Sequence, residues 1–160
     1  MPAFDASSMI YAWDNYPESQ FPPLWEWLGR EVTARRIVMS SLALDEVRHK
    51  APECAEWLLN HGIEQLSMGS QELLEAARIK GLLGIRNDNY HPKGVDENDL
   101  FIIATCKLRN LPLVSNEERQ TNLPQMPAKM KIPAVCDLGA VGVQCTDFLA
   151  FIKQSSQVFR

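Results

Sequence analysis

The sequence predicts an α/β fold, a parallel β-sheet with helices packed on it. Short β-like runs alternate along the chain with stretches of helical periodicity, the pattern of strand, crossover helix and parallel strand. The stretch from Asn98 to Arg109 is apolar nearly all round, which describes a central buried helix. With 160 residues, 46% of them hydrophobic and 22% charged, the chain can bury a sizeable core without staples.

The first β-like run is Ala3 to Asp5. An aromatic helix follows within Tyr16 to Leu28, with Leu24, Trp25 and Leu28 on one face suited to packing, and Trp27 off that face, where it could cover a partner. Ile37 to Ser40 forms the next run, and Ser41 can cap a helix to about Lys50. Ser70, followed by Gln71 and Glu72, can cap a helix presenting Leu73, Leu74 and Ala77. After the central helix come β-like runs at Leu113 to Ser115 and Gly142 to Cys145, and Thr146 can cap a last helix carrying Phe148, Leu149 and Ile152. Two segments read as surface loops: Ile85 to Val95, rich in turn formers, and Glu118 to Pro133, where Pro124, Pro127 and Pro133 interrupt any long helix. With no repeat and no Gly/Ser linker, residues 1–160 are expected to form a single domain.

Sixteen Lys and Arg against twenty Asp and Glu give a net charge of −4, which excludes a polybasic nucleic-acid binder. Any contact with nucleic acid must come from a local patch, for which Arg48, Lys50, Lys93, Lys107 and Arg109 flank the acids in sequence. Lys129 and Lys131 of the Pro-rich segment offer a second approach. Tyr90, His91 and Lys93 precede an acid pair and could meet a phosphate or a base. The four cysteines form no C-x-x-C pair, and the three histidines show no zinc-ligand spacing to them. The longest apolar run, Leu100 to Cys106, is too short to span a bilayer, and the amino terminus lacks a basic-then-apolar signal. A cytoplasmic protein with reduced thiols and no membrane partner is expected.

In a parallel sheet, functional groups gather at the carboxyl ends of the strands. Those ends carry acids here: Asp5 after the first run, Asp45 and Glu46 after the second, Glu117 and Glu118 after Leu113 to Ser115. Asp96 and Asp99 open the central helix; alone, they would read as an N-cap and its third-position partner. Converging carboxylates repel unless a cation sits between them, and oxygen ligands favour Mg²⁺ or Mn²⁺. No glycine-rich phosphate loop is present. An Asp-x-Asp phosphohydrolase is disfavoured by Ser at position 7.

These residues resemble the PIN-domain nucleases, the family of the VapC-type toxins of bacterial toxin–antitoxin pairs. Asp5-Ala6-Ser7 resembles the family's opening Asp-x-Ser/Thr, and Glu46 in MSSLALDEV its second acid, in preference to Asp45. Asp99-Leu100-Phe101-Ile102-Ile103-Ala104-Thr105-Cys106 is similar to the family's D-x-L-I-A-A-T-A, with Asp96 as an accessory acid. Leu113-Val114-Ser115-Asn116-Glu117 resembles its strand followed by Thr-x-Asp, with Glu in place of Asp. Tyr16 to Leu28 looks like a bacterial PIN-like subfamily whose genes often neighbour a helix-turn-helix regulator. The resemblance implies a three-layer α/β/α PIN-like domain with a central parallel sheet. It implies a metal-dependent endoribonuclease leaving a 5′-phosphate and a 3′-hydroxyl, with Asp5, Glu46, Asp99 and Glu117 catalytic and Asp96 joining them as metal ligands. RNA as substrate, an antitoxin of the helix-turn-helix kind and a homodimer are the partners it suggests. The alternative is a catalytically inactive PIN scaffold that binds other proteins.

Overall fold

The computed structural model describes residues 1–160. Five short strands, β1 (Ala3–Phe4), β2 (Val38–Ser40), β3 (Glu64–Leu66), β4 (Leu113–Val114) and β5 (Cys145–Thr146), form one sheet in which all neighbours pair in parallel. The order across the sheet is β3-β2-β1-β4-β5. Flanking it are α1 (Ala6–Asn15), α2 (Pro22–Thr33), α3 (Ser41–Lys50), α4 (Pro52–Asn60), α5 (Ser70–Leu82), α6 (Glu97–Arg109), α7 (Ile132–Asp137) and α8 (Phe148–Ser155). The chain winds outward from β1 to β3, then returns through α5 and α6 to place β4 on the other side of β1. The strand order therefore reverses between β1 and β4, and a crevice opens at their carboxyl ends.

The core explains why such short strands hold. Phe4, Ile37, Val38, Met39, Leu113 and Val114 are buried on both faces of the sheet, as parallel strands covered by helices require. Phe4 meets Phe151 edge-on at 4.9 Å and Phe148 at 6.3 Å. Each such side chain taken out of water contributes about 1.5–3 kcal/mol. The predicted central helix is α6, with Leu100 and the run from Ile102 to Cys106 all buried. It stops at Asn110, which adopts a left-handed conformation (φ 54°) and ends the helical hydrogen bonding.

Several local expectations are corrected. The cap of α3 is Ser40, whose Oγ accepts from the Leu42 N–H at 3.3 Å, so Ser41 is already the first helical residue. Gly69 rather than Ser70 precedes α5, its N–H donating to Glu72 Oε2 at 2.9 Å. Asp147 rather than Thr146 caps α8, accepting from the Ala150 N–H at 2.7 Å. The tie from Glu72 to Gly69 sets the rotation of α5: Glu72, Ala76 and Ile79 face inward, and Leu73 and Leu74 stand 48% and 72% exposed. Trp27 is covered by this chain itself, 5.6 Å from the rings of both Phe151 and Phe159. The segment from Glu118 to Pro133 is not all loop, because a 3-10 turn forms at Pro127–Lys129 and Pro133 lies in the first turn of α7. There proline loses no helical hydrogen bond.

No helix is long and apolar enough to cross a membrane. All four cysteines are buried and free, and burial pushes the Cys54 and Cys106 thiols up to about 12.

Candidate active site

The register of β1 and β4 builds the centre of the site. Ala3 pairs with Leu113 and Phe4 with Val114, so the next residues of the two strands, Asp5 and Ser115, emerge side by side. Ser115 Oγ donates to Asp5 Oδ2 at 3.1 Å, and Ser7 Oγ donates to the same oxygen at 2.6 Å. No side chain donates to Asp5 Oδ1. The two serine hydroxyls lie 3.2 Å apart, and Ser7 Oγ also accepts from the Asn116 N–H at 2.9 Å. Ser8 pins the start of α1 to the crevice, donating to the carbonyls of Asp5 (2.7 Å) and Val114 (2.9 Å). Asn116 Oδ1 accepts from the Phe148 N–H at 2.9 Å, which fixes the turn carrying Glu117.

Glu46, Asp96, Asp99 and Glu117 line one cavity of about 680 Å³ over this crevice. Asp5 is 2% exposed and lies behind the cavity wall rather than on it. Its charge nevertheless reaches the others. Burial raises the Asp5 carboxyl above the usual carboxylate range, and the Glu46 charge raises it further against the two serine hydrogen bonds. Asp99 is pushed up to about 8, by burial first and then by the charges of Asp96, Asp5 and Glu117. Glu117 is also raised, by partial burial at the cavity mouth, then by Asp5 and Glu46, with Lys131 and Lys50 opposing.

Asp96 and Asp99 form the reciprocal cap that their spacing allowed. Asp96 Oδ1 accepts from the Asp99 N–H at 2.8 Å, and Asp99 Oδ2 accepts from the Asp96 N–H at 2.9 Å. Capping occupies one oxygen of each carboxylate, while both residues still face the cavity. Glu46 is held by Lys50 at 2.6 Å, and its neighbour Asp45 points outward to Arg48 at 2.8 Å.

The proposed basic rim is corrected in part. Lys50 and Lys93 line the cavity, and Lys129 and Lys131 of the Pro-rich segment join them. Arg48 does not line it, being engaged by Asp45. Arg109 sits at the far end of α6, reaching the Ser67 carbonyl (3.3 Å) and Glu72 (3.7 Å), and Lys107 lies near Gly142. Tyr90 and His91 stay off the wall: Lys80 stands 5.0 Å over the Tyr90 ring, and His91 Nδ1 accepts from the Lys93 N–H at 3.1 Å. Ser115 and Gln120 are the site residues that sequence reasoning did not single out. Ser115 occupies the hydroxyl position of the Thr-x-Asp pattern, a signal that was available.

The donor set suits a hard divalent cation. The acids of the cavity offer carboxylate oxygens, and no Cys or His lines it. Burial first, and then the mutual repulsion of the acids, raises Asp5, Asp99 and Glu117, with Lys131 and Lys50 opposing only at Glu117. No three of these groups stand close enough to form a ready-made coordination shell.

Fold and site together define a parallel α/β domain with a carboxylate cluster at the switch point of its sheet. The chain belongs to the family described as Domain of unknown function (DUF4411), which matches residues 3–159. No curated protein matches it. Among solved structures it is similar to VapBC2 from Rickettsia felis, bound to a DNA fragment from their promoter. That likeness has 21% identity over 81% of this chain and 95% of the other, with a TM-score of 0.48.

Proposed function

We propose that this protein is a divalent-cation-dependent endoribonuclease of the PIN kind, acting as the toxin of a bacterial toxin–antitoxin pair. The observation that carries the reading is the convergence of Glu46, Asp96, Asp99 and Glu117 on one cavity over buried Asp5, at the carboxyl ends of β1 and β4. The motif resemblance supplies the substrate class, the antitoxin and the cytoplasmic setting. Residues 1–160 then act as one domain.

Asp5, Asp99 and Glu46 would hold Mg²⁺ or Mn²⁺, with Asp96 and Glu117 completing its surroundings. When bound, the cation supplies positive charge against the negative charge that builds on the phosphate, and acidifies nearby water. Ser7 and Ser115 fix the Asp5 carboxylate through Oδ2, so its orientation needs no rearrangement during reaction. Glu117, exposed at the cavity mouth with its carboxyl raised above the usual range, takes the proton of the attacking water. The water oxygen bonds to phosphorus and the P–O3′ bond breaks. The departing 3′ oxygen takes a proton from solvent, leaving a 3′-hydroxyl and a 5′-phosphate.

Incubating the purified protein with end-labelled single-stranded RNA tests this. Cutting with Mg²⁺ or Mn²⁺ that yields 5′-phosphate ends and stops in chelator is expected. Intact RNA under all metal conditions would favour the inactive scaffold.

A further inference from the structure

We propose that Lys93 and Lys129, carried on braced backbone, form a phosphate-binding wall beside the acid cluster, which grips the backbone of single-stranded RNA. The identity of the strand rests on the nuclease reading above.

The cavity holds four lysines, two of which are committed: Lys50 to Glu46 at 2.6 Å and Lys131 to Glu118 at 3.2 Å. Lys93 and Lys129 pair with no carboxylate, although acids line the same recess. Both stand on braced backbone. The Val95 N–H donates to the Met130 carbonyl at 2.9 Å, locking the first irregular loop onto the second. Gly94 permits this lock, because a Cβ there would lie 1.9 Å from the Ala128 carbonyl oxygen and 3.0 Å from Lys129 Cα. Gln120 braces the other side, its Nε2 donating to the Lys129 carbonyl at 3.1 Å and its Oε1 accepting from the Lys131 N–H at 2.9 Å.

Two unpaired ammonium groups lining one recess gain most from a shared polyanion. The neighbouring carboxylates repel an acidic peptide over its whole length. A phosphodiester strand places its flanking phosphates on the lysines and turns its uncharged sugars and bases toward the acids. A flexible single strand can enter a recess between two loops, and the braced backbone there leaves only the two lysine side chains to be ordered on binding.

The test measures binding rather than cutting. Asp5→Asn protein in Mg²⁺ is titrated with a labelled single-stranded RNA at several salt concentrations. It is compared with the same protein carrying Lys93→Gln and Lys129→Gln, and with Lys93→Arg and Lys129→Arg. Each lost phosphate contact lowers the log–log salt slope of a single strand by about 0.7, so the glutamine pair should flatten it by about 1.4 and the arginine pair should restore it. An unchanged slope in the glutamine pair, or no salt-dependent binding by the Asp5→Asn protein, would overturn the wall. Failure of the nuclease reading shows separately: the wild type would leave RNA intact in Mg²⁺ while the binding slopes behave as expected.

Discussion

Asp5→Asn is expected to reduce metal-dependent RNA cleavage by at least about a thousandfold, on the order of 4 kcal/mol of transition-state stabilisation. The expectation follows from the place of Asp5, which is buried, held by Ser7 and Ser115 through one oxygen, and close enough to Asp99 and Glu117 to raise both. Asparagine keeps an oxygen for the serine hydroxyls but loses the charge that attracts a cation. Because burial already disfavours the ionised Asp5, the variant should fold, with a metal-free unfolding midpoint at or slightly above that of wild type. Initial cleavage rates beside a thermal melt check both halves. Wild-type cutting by Asp5→Asn would remove Asp5 from the site, and a large loss of stability would make its role structural.

In chelator, the protein should lose stability as pH rises from about 5 to 8. Asp99 titrates near 8 in the folded chain, against about 3.9 for an ordinary unfolded aspartate. Between those values the native state keeps a proton that the unfolded state releases, so stability falls with pH and levels off above the folded value. Asp5 and Glu117, also raised, add in the same direction. Asp99 is partly exposed, and solvent screening trims the effect to on the order of 2 kcal/mol, about 4–8 °C in a chain of this size. The lowered Glu75, which its bond to Arg78 stabilises, acts with opposite sign but only below this pH range. Asp99→Asn should flatten the slope while preserving the cap, since asparagine can still accept from the Asp96 N–H. Asp99→Ala loses the back-bond to the Asp96 N–H while the Asp96 cap stays, and should cost about 0.5–1.5 kcal/mol relative to the asparagine variant. Adding Mn²⁺ should stabilise the wild type more at pH 8 than at pH 5, because ligands must lose their protons. Melts across this pH range, with and without Mn²⁺, check the sign; stability that rises with pH in chelator would contradict the charge-cluster account.

Features set by local sequence were legible, and those set by distant contacts were not. Ile37 to Ser40 and Leu113 to Ser115 could be read as strands because buried parallel strands are apolar runs ending in polar residues. β3 could not, since Glu64-Gln65-Leu66 has no such pattern and is held only at the sheet edge by its pairing with β2. Each misplaced cap was off by a single residue, because adjacent Ser40 and Ser41, or Thr146 and Asp147, differ in backbone angles rather than in chemistry. The outward turn of Leu73 and Leu74 depends on Glu72 reaching back to Gly69 and across to Arg109. Trp27 was open to a partner in the sequence only because Phe159, which covers it, lies at the other end of the chain. At the site, Asp5, Glu46 and Glu117 follow from where strands end, and Asp96 and Asp99 from where the central helix starts, whereas the basic wall needs Gly94 to meet Ala128, a contact between two loops that no spacing rule shows.

Anomalous scattering from crystals of the protein soaked in Mn²⁺ tests the central claim most directly. One strong peak is predicted where the cavity meets Asp5, ligated by carboxylate oxygens of Asp5 and Asp99, with Glu46 or Glu117 reaching it directly or through water. A cavity without a peak at saturating Mn²⁺, with the Asp5 carboxylate still bonded only to Ser7 and Ser115, would contradict it.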